Sequence, residues 1–217
     1  MRAWSVGLVA LALLGACGGD DDGGDAGGPP PDPETDGPTV EDHWHLAYGF
    51  DVCDRDGIGH LEGALEELDA SGIPVNAGFY ETGIHSHDDG VIHWHAVTAR
   101  ATGDNATLGV FLDNYGVELT DEALTFPSEQ FGGAEYIEGA TECGGVAPGS
   151  LAVAVWPSAG DTGPPDVYRE DMTEVHVDRD GMVVLVSYQP DGVDLASIEV
   201  PPWAADLGRL GEVDQAG

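Results

Sequence analysis

The chain has no lysine. Its only fixed cations are six arginines, set against 41 aspartates and glutamates, for a net charge of −35 over 217 residues. A field of that sign repels phosphate backbones and anionic headgroups, which excludes most nucleic-acid functions. It leaves cations, positively charged partners or solubility in high salt. No internal apolar run is long enough to span a bilayer. There is no Gly-rich phosphate loop, no G-x-S-x-G elbow and no HExxH, so the corresponding chemistries have no local signature here. Cysteine is scarce, at positions 17, 53 and 143. What is present is an apolar content of 41%, enough for one folded domain with tails.

The first residues read as an address. Met1 and Arg2 form a minimal positive region, and Trp4 to Leu14 is rich in Val, Leu and Ala. That run is too short for a transmembrane helix and suits the apolar part of a signal peptide. It ends in Leu14-Gly15-Ala16-Cys17, which resembles the lipobox of bacterial lipoproteins. The resemblance implies a signal peptide over 1–16, diacylation of Cys17, and anchoring to the outer face of a bacterial membrane in the cell envelope. Residues 17–40 then form a Gly/Asp/Pro tether, lacking an apolar anchor until Val40. As a flexible coil such a segment reaches about 25–30 Å. Export has a corollary for Cys53 and Cys143. Two distant cysteines in an exported chain most often pair, closing a loop worth on the order of 4 kcal/mol. The rival reading makes Cys53 a thiolate metal ligand.

From residue 41 to 200 the texture is that of one β-rich or α+β domain, followed by a C-terminal tail over 201–217. Trp44, Leu46, Tyr48 and Phe50 alternate, as on a half-buried strand. Hairpins are expected over 84–98 and 173–188, the second turning at Arg179-Asp180-Gly181. Residues 106–112 and 151–156 read as further strands. Leu61 to Leu68 (LEGALEEL) is the best helix candidate, with a second short helix or turn at Thr120–Ala123. Antiparallel sheet with one or two short helices is therefore the expected fold class.

The histidines carry the chemistry. Six of the eight fall in three His-X-His pairs: His43/His45, His85/His87 and His93/His95. Residues i and i+2 of a strand share a face, so each pair presents two imidazoles side by side. The intervening Trp44 and Trp94 point the other way, toward a core. A three-residue loop, Asp88-Asp89-Gly90, places His85 opposite His93 and sets all four hairpin histidines on one face. A two-residue turn would split the pairs and bury one of them, against the hydrophobic pattern. With the His43 strand alongside, six imidazoles converge. Such a cluster suits zinc or copper more than hard cations. Asp51, Asp88 and Asp89 are possible carboxylate ligands or orienting groups. The bland alternative is a polar or pH-sensitive sheet face. His60 and His176 read as surface residues.

The strings HWHLAY (43–48), GIHSHDDGVIHWH (83–95) and ATLGVFLDNYGVELTDE (106–122) resemble a group of uncharacterised bacterial secreted proteins. That resemblance implies a family signature without an attached activity. Val91-Ile-His93-Trp-His95 is similar to the zinc-binding strand of α-class carbonic anhydrases, although a third-ligand strand is not evident. The cupin pattern shares one His-X-His but requires a Glu a few residues later, and after His87 none follows until Glu118.

The expectation is an anchored lipoprotein with a copper or zinc site built from His43, His45, His85, His87, His93 and His95. It reads as a binder for buffering or delivery. A zinc hydrolase or hydratase is the alternative, and a metal-free interaction domain the second alternative. The membrane, through Cys17, and a metal ion are the expected partners; no nucleic acid is expected, and no protein partner is indicated.

Overall fold

β1, Trp44–Val52, follows the alternation seen in the sequence. Its even-numbered residues enter the main core, while Ala47 on the other face joins a second, smaller cluster. The computed structural model describes residues 37–209 apart from Val146 and Thr162. The signal segment, Cys17 and most of the tether therefore lie outside the described residues. The described part falls within one unit of the chain, residues 31–217.

β1 is central in a mixed seven-stranded sheet. The other strands are β2 (Ile84–His85), β3 (Val91–Trp94), β7 (Glu142–Cys143), β8 (Ala147–Trp156), β9 (Asp166–Tyr168) and β10 (Val183–Pro190). Their order is β2-β3-β1-β10-β8-β7, with β9 also paired to β8. β1 and β10 run parallel; the remaining pairs are antiparallel. A three-stranded antiparallel sheet comprises β4 (Glu118–Leu119), β5 (Ala123–Thr125) and β6 (Glu135–Ile137). Among the described residues the sheets are joined by the short helices α1 (Ala77–Thr82) and α2 (Leu108–Asn114) and several 3₁₀ turns. The fold is mainly sheet, as the composition and patterning predict.

The main core joins Leu46, Tyr48 and Phe50 of β1 to Trp94, Tyr188, Phe111 and Leu112. The smaller cluster lies on the reverse of β1, β8 and β10, under Ala204 and Leu207. Residues 201–209 are therefore not a free tail. Trp203 donates its indole N–H to the Tyr48 carbonyl at 2.8 Å. At the other boundary, Pro38 is buried and its carbonyl accepts from the Gly103 N–H at 2.9 Å, so the folded part begins inside the expected tether.

Three expected elements differ. Leu61–Leu68 is loop, not helix. Gly63 takes φ +93°, which no helix accommodates, and of its leucines only Leu61 is fully buried while Leu68 is exposed. Residues 106–112, read as a strand, instead lead into α2 from Leu108 onward. Its Leu108, Phe111 and Leu112 occupy i, i+3 and i+4, a helical face that a short apolar run also permits. The hairpin expected over 173–188 is absent. Residues 175–177 pair instead with 106–108, through Leu108 N–H to Val175 O and Val177 N–H to Ala106 O, both 2.8 Å. β10 inserts between β1 and β8. It is apolar on both faces, the mark of an interior strand.

Cys53 and Cys143 form a disulfide with Cα atoms 5.3 Å apart, tying the chain just after β1 to β7. That removes Cys53 from the list of metal ligands. Among the described residues no helix is long and apolar enough to cross a membrane.

Candidate metal centre

Strand register builds the site. In β1–β3 pairing, Trp44 faces Trp94 and His45 faces His93. In β2–β3 pairing, Ile84 faces Trp94 and His85 faces His93. The last is the register expected from the hairpin loop. Gly90 is left-handed as expected, but so is Asp88 at φ 59°, and strand pairing stops at His85. His45, His93 and His85 thus form one row across three strands. The tryptophans alternate to the opposite face, where Trp94 is fully buried and donates to the Ala101 carbonyl at 2.8 Å.

The other histidines extend that row. His43 and His95 bring their ring centroids to 3.4 Å. His87 lies 4.4 Å from His93 and 4.8 Å from His85. His45 sits 4.5 Å from His43 and 4.8 Å from His93. All six expected histidines therefore share one face. His60 and His176 do not join them. His60 packs its ring edge against Trp203 at 5.1 Å, and His176 is exposed beside Thr107.

Two carboxylates reach the cluster. Glu66 places one oxygen 3.3 Å from His85 Nε2 and the other 3.3 Å from His87 Nε2. Asp89 Oδ2 is 3.7 Å from His93 Nε2. Glu66 had no distinguishing signal in the sequence, because LEGALEEL reads as a helix with Glu66 on its wet face. The loop conformation brings it over the imidazoles. Asp88 assists by accepting from the Gly63 N–H, which ties that loop to the hairpin. Asp51, also considered as a ligand, is six residues from His45 along β1, about 20 Å in an extended strand.

The supporting contacts set ring orientation. His85 Nδ1 lies 3.0 Å from the Gly83 carbonyl, so an Nδ1–H tautomer leaves Nε2 as the ligating nitrogen. Gly83 is left-handed at φ +79° and closes α1. A Cβ there would run into the His95 carbonyl oxygen. Behind the sheet, Tyr115 OH accepts from Ser86 N–H at 3.0 Å and donates to Ser86 O at 3.1 Å. This clamps the residue between His85 and His87. Ser86 Oγ in turn donates to Asp89 Oδ1 at 3.3 Å, and Val91 N–H donates to the same oxygen at 3.0 Å. On β1, the turn at Asp180-Gly181 grips His45. Asp180 Oδ1 accepts from His45 N–H at 2.7 Å, and Gly181 N–H donates to His45 O at 2.9 Å.

For His95 and His85, electrostatics favours the neutral imidazole. Burial, then the neighbouring His43, His85, His93 and His45, pushes His95 down to about 4. Burial also lowers His85; Gly83 O and Glu66 oppose that shift, and His93 and His87 add to it. Asp89 is pushed up by burial, but the neighbouring His93 ring and the hydrogen bond from the Val91 N–H outweigh this and hold it at about 2. Neutral imidazole is the form that ligates metal.

The donors sort into two trios, His43/His93/His95 and His85/His87/His93, with ligand atoms within 4.8 Å of one another in each. His93 belongs to both. It is 8% exposed, and its Nε2 is buried without a hydrogen-bond partner. A buried polar nitrogen of that kind calls for a ligand. His45 lies beside both trios and in neither. A cavity of about 340 Å³ opens over the donors, walled also by Phe79 and Val97.

No protein-family model, curated protein or solved structure matches the chain. What the site defines is a histidine-lined face able to hold a metal ion.

Proposed function

We propose that this protein is an exported, lipid-anchored binder of zinc or copper that buffers or delivers the ion in the cell envelope. The observation that carries this reading is the pair of three-histidine groups meeting at His93, whose buried Nε2 has no hydrogen-bond partner. Nitrogen donors with a carboxylate at hand suit Zn(II) and Cu(II). With Cys53 and Cys143 in a disulfide, no thiolate among the described residues joins the set to favour Cu(I). The disulfide is compatible with an oxidising compartment, and the Leu14–Cys17 motif supports anchoring through Cys17. The test is titration of the untagged chain with Zn(II) and Cu(II), following melting temperature and bound metal by elemental analysis. Sub-micromolar binding sustains the reading; affinity no better than a generic surface histidine sinks it.

The cavity over the donors supports a second reading, a zinc hydrolase or hydratase. An ion there has room to keep an open position for water and a small substrate. Azide added to the Co(II)-substituted protein separates the two. A changed visible spectrum indicates an open position, and an unchanged one a closed binding site.

A further inference from the structure

We propose that the centre holds two metal ions sharing His93, one with His43 and His95, the other with His85 and His87. This rests on the metal-binding reading and goes one step past it.

The argument is geometric. Metal–imidazole bonds of about 2.0–2.1 Å limit the donors of one ion to about 4.2 Å from each other. At donor spacings of up to 4.8 Å, close to that limit, the five imidazoles divide into two trios with one member in common. One ion satisfies one trio and leaves the other pair of rings crowded together, His43 and His95 at 3.4 Å or His85 and His87 at 4.8 Å. The nitrogens His85 Nε2 and His87 Nε2 lie 2.9 Å apart, within hydrogen-bonding distance, and with both rings in the Nδ1–H tautomer both nitrogens are free to take one cation. Glu66 faces both of those nitrogens and is placed to serve the second ion.

Charge permits double occupancy. An imidazole bound through both ring nitrogens gives up its remaining N–H proton to solvent, so shared His93 becomes an anion. With Glu66 and Asp89 it sets three negative charges against two divalent cations. The chain around them carries −35, so the residual positive charge meets an attractive field. His93 is also the best-held of the five, on the middle strand of β2-β3-β1.

The test is metal stoichiometry on the full, untagged chain, by elemental analysis after gel filtration from excess Zn(II), with electron paramagnetic resonance of the Cu(II) form. The expected result is two ions per chain, with the Cu(II) signal altered by coupling between the ions. His95→Gln and His87→Gln each reduce two ions to one, and His93→Gln weakens both sites at least tenfold. One ion per chain in the wild type overturns the two-ion centre while leaving the metal-binding reading intact. No bound ion overturns both. Two ions retained at unchanged affinity in His93→Gln overturns the sharing. If His93→Gln does not fold, the two variants at the more exposed His95 and His87 decide: loss of one ion in each sustains the proposal, and two ions retained in either refutes it.

Discussion

His85 and His93 stand directly opposite one another on β2 and β3, with ring centroids 5.3 Å apart and planes within 14° of parallel. A slip of one residue in this pairing would turn His85 and His87 into the core and Ile84 and Ser86 out of it. Ile84 and Trp94, paired one step away and both fully buried, hold the register. The metal face is thus specified by the packing of its reverse side.

Removing both partners of that pair tests the site most directly. In His85→Ala/His93→Ala each trio loses at least one donor. The expected outcome is at least a hundredfold loss of Zn(II) affinity, or about 2.8 kcal/mol at 1.4 kcal/mol per decade. Chelator should lower the melting temperature of the metal-loaded wild type and leave the variant unmoved, as read by calorimetry with and without EDTA.

Glu66→Gln keeps the shape and removes the charge beside His85 and His87. Because Glu66 is exposed and its loop is held by other contacts, the fold should be unaffected. Affinity should fall roughly tenfold, in the range found for groups that orient or supplement metal ligands. Isothermal titration with unchanged circular dichroism checks both halves.

Stability of the metal-free protein should depend on pH in two separate windows. His95 has a folded value of about 4 against an ordinary value of 6.5. Between those values the unfolded chain binds the proton and the folded one does not, so stability falls as pH drops from about 6.5 toward 4. His85, lowered in the same direction, adds to this. Asp89 behaves oppositely in position: its folded value of about 2 lies below 3.8. Its contribution is complete above 3.8 and is lost only as pH falls from there through about 2. Urea midpoints at pH 7.5, 5.5 and 3 should decline stepwise, and the pH 7.5 to 5.5 step should shrink in His95→Gln.

The disulfide joins residues 90 apart in sequence. Cys53→Ser/Cys143→Ser should lose on the order of 4 kcal/mol, most of it through the larger entropy of the unfolded chain. Denaturant unfolding with and without reductant measures this, and the variant should become insensitive to reductant.

Tyr115→Phe removes the hydroxyl that both accepts from and donates to Ser86. Two buried backbone groups then lose partners, at a cost of about 1–3 kcal/mol. The effect on the centre should exceed that on a remote surface: metal affinity should drop along with stability, since Ser86 lies between two ligands.

Much of the centre was readable from alternation alone. His-X-His on a strand forces two rings onto one face, and the aromatic residue between them names the buried side. Glu66 was not readable, because its segment has the spacing of a helix and only the φ of Gly63 and the pairing of Leu61 N–H with Tyr48 OH show otherwise. α2 was misread for the converse reason. Seven residues, mostly apolar, fit both periods, and the deciding neighbours, Val175 and Val177, are more than 60 positions away. The lost second hairpin has the same origin. Its turn at Arg179-Asp180-Gly181 is real, but Asp180 and Gly181 spend their hydrogen bonds on His45.

β1 and β10 lie side by side although about 135 residues separate their paired positions, Ala47 with Val183 through Val52 with Tyr188. Contacts that distant in sequence form late, after the entropy of closing a long loop has been overcome. During synthesis β1, with His45 on it and His43 just ahead of it, can pair with β3 early, but its β10 side waits for nearly the whole chain. The β2–β3 hairpin needs no such delay. A chain interrupted before residue 180 would keep the β2-β3-β1 pairing but leave β1 as an edge and His45 without its Asp180 and Gly181 contacts, so the ligand face is fully supported only in the finished chain.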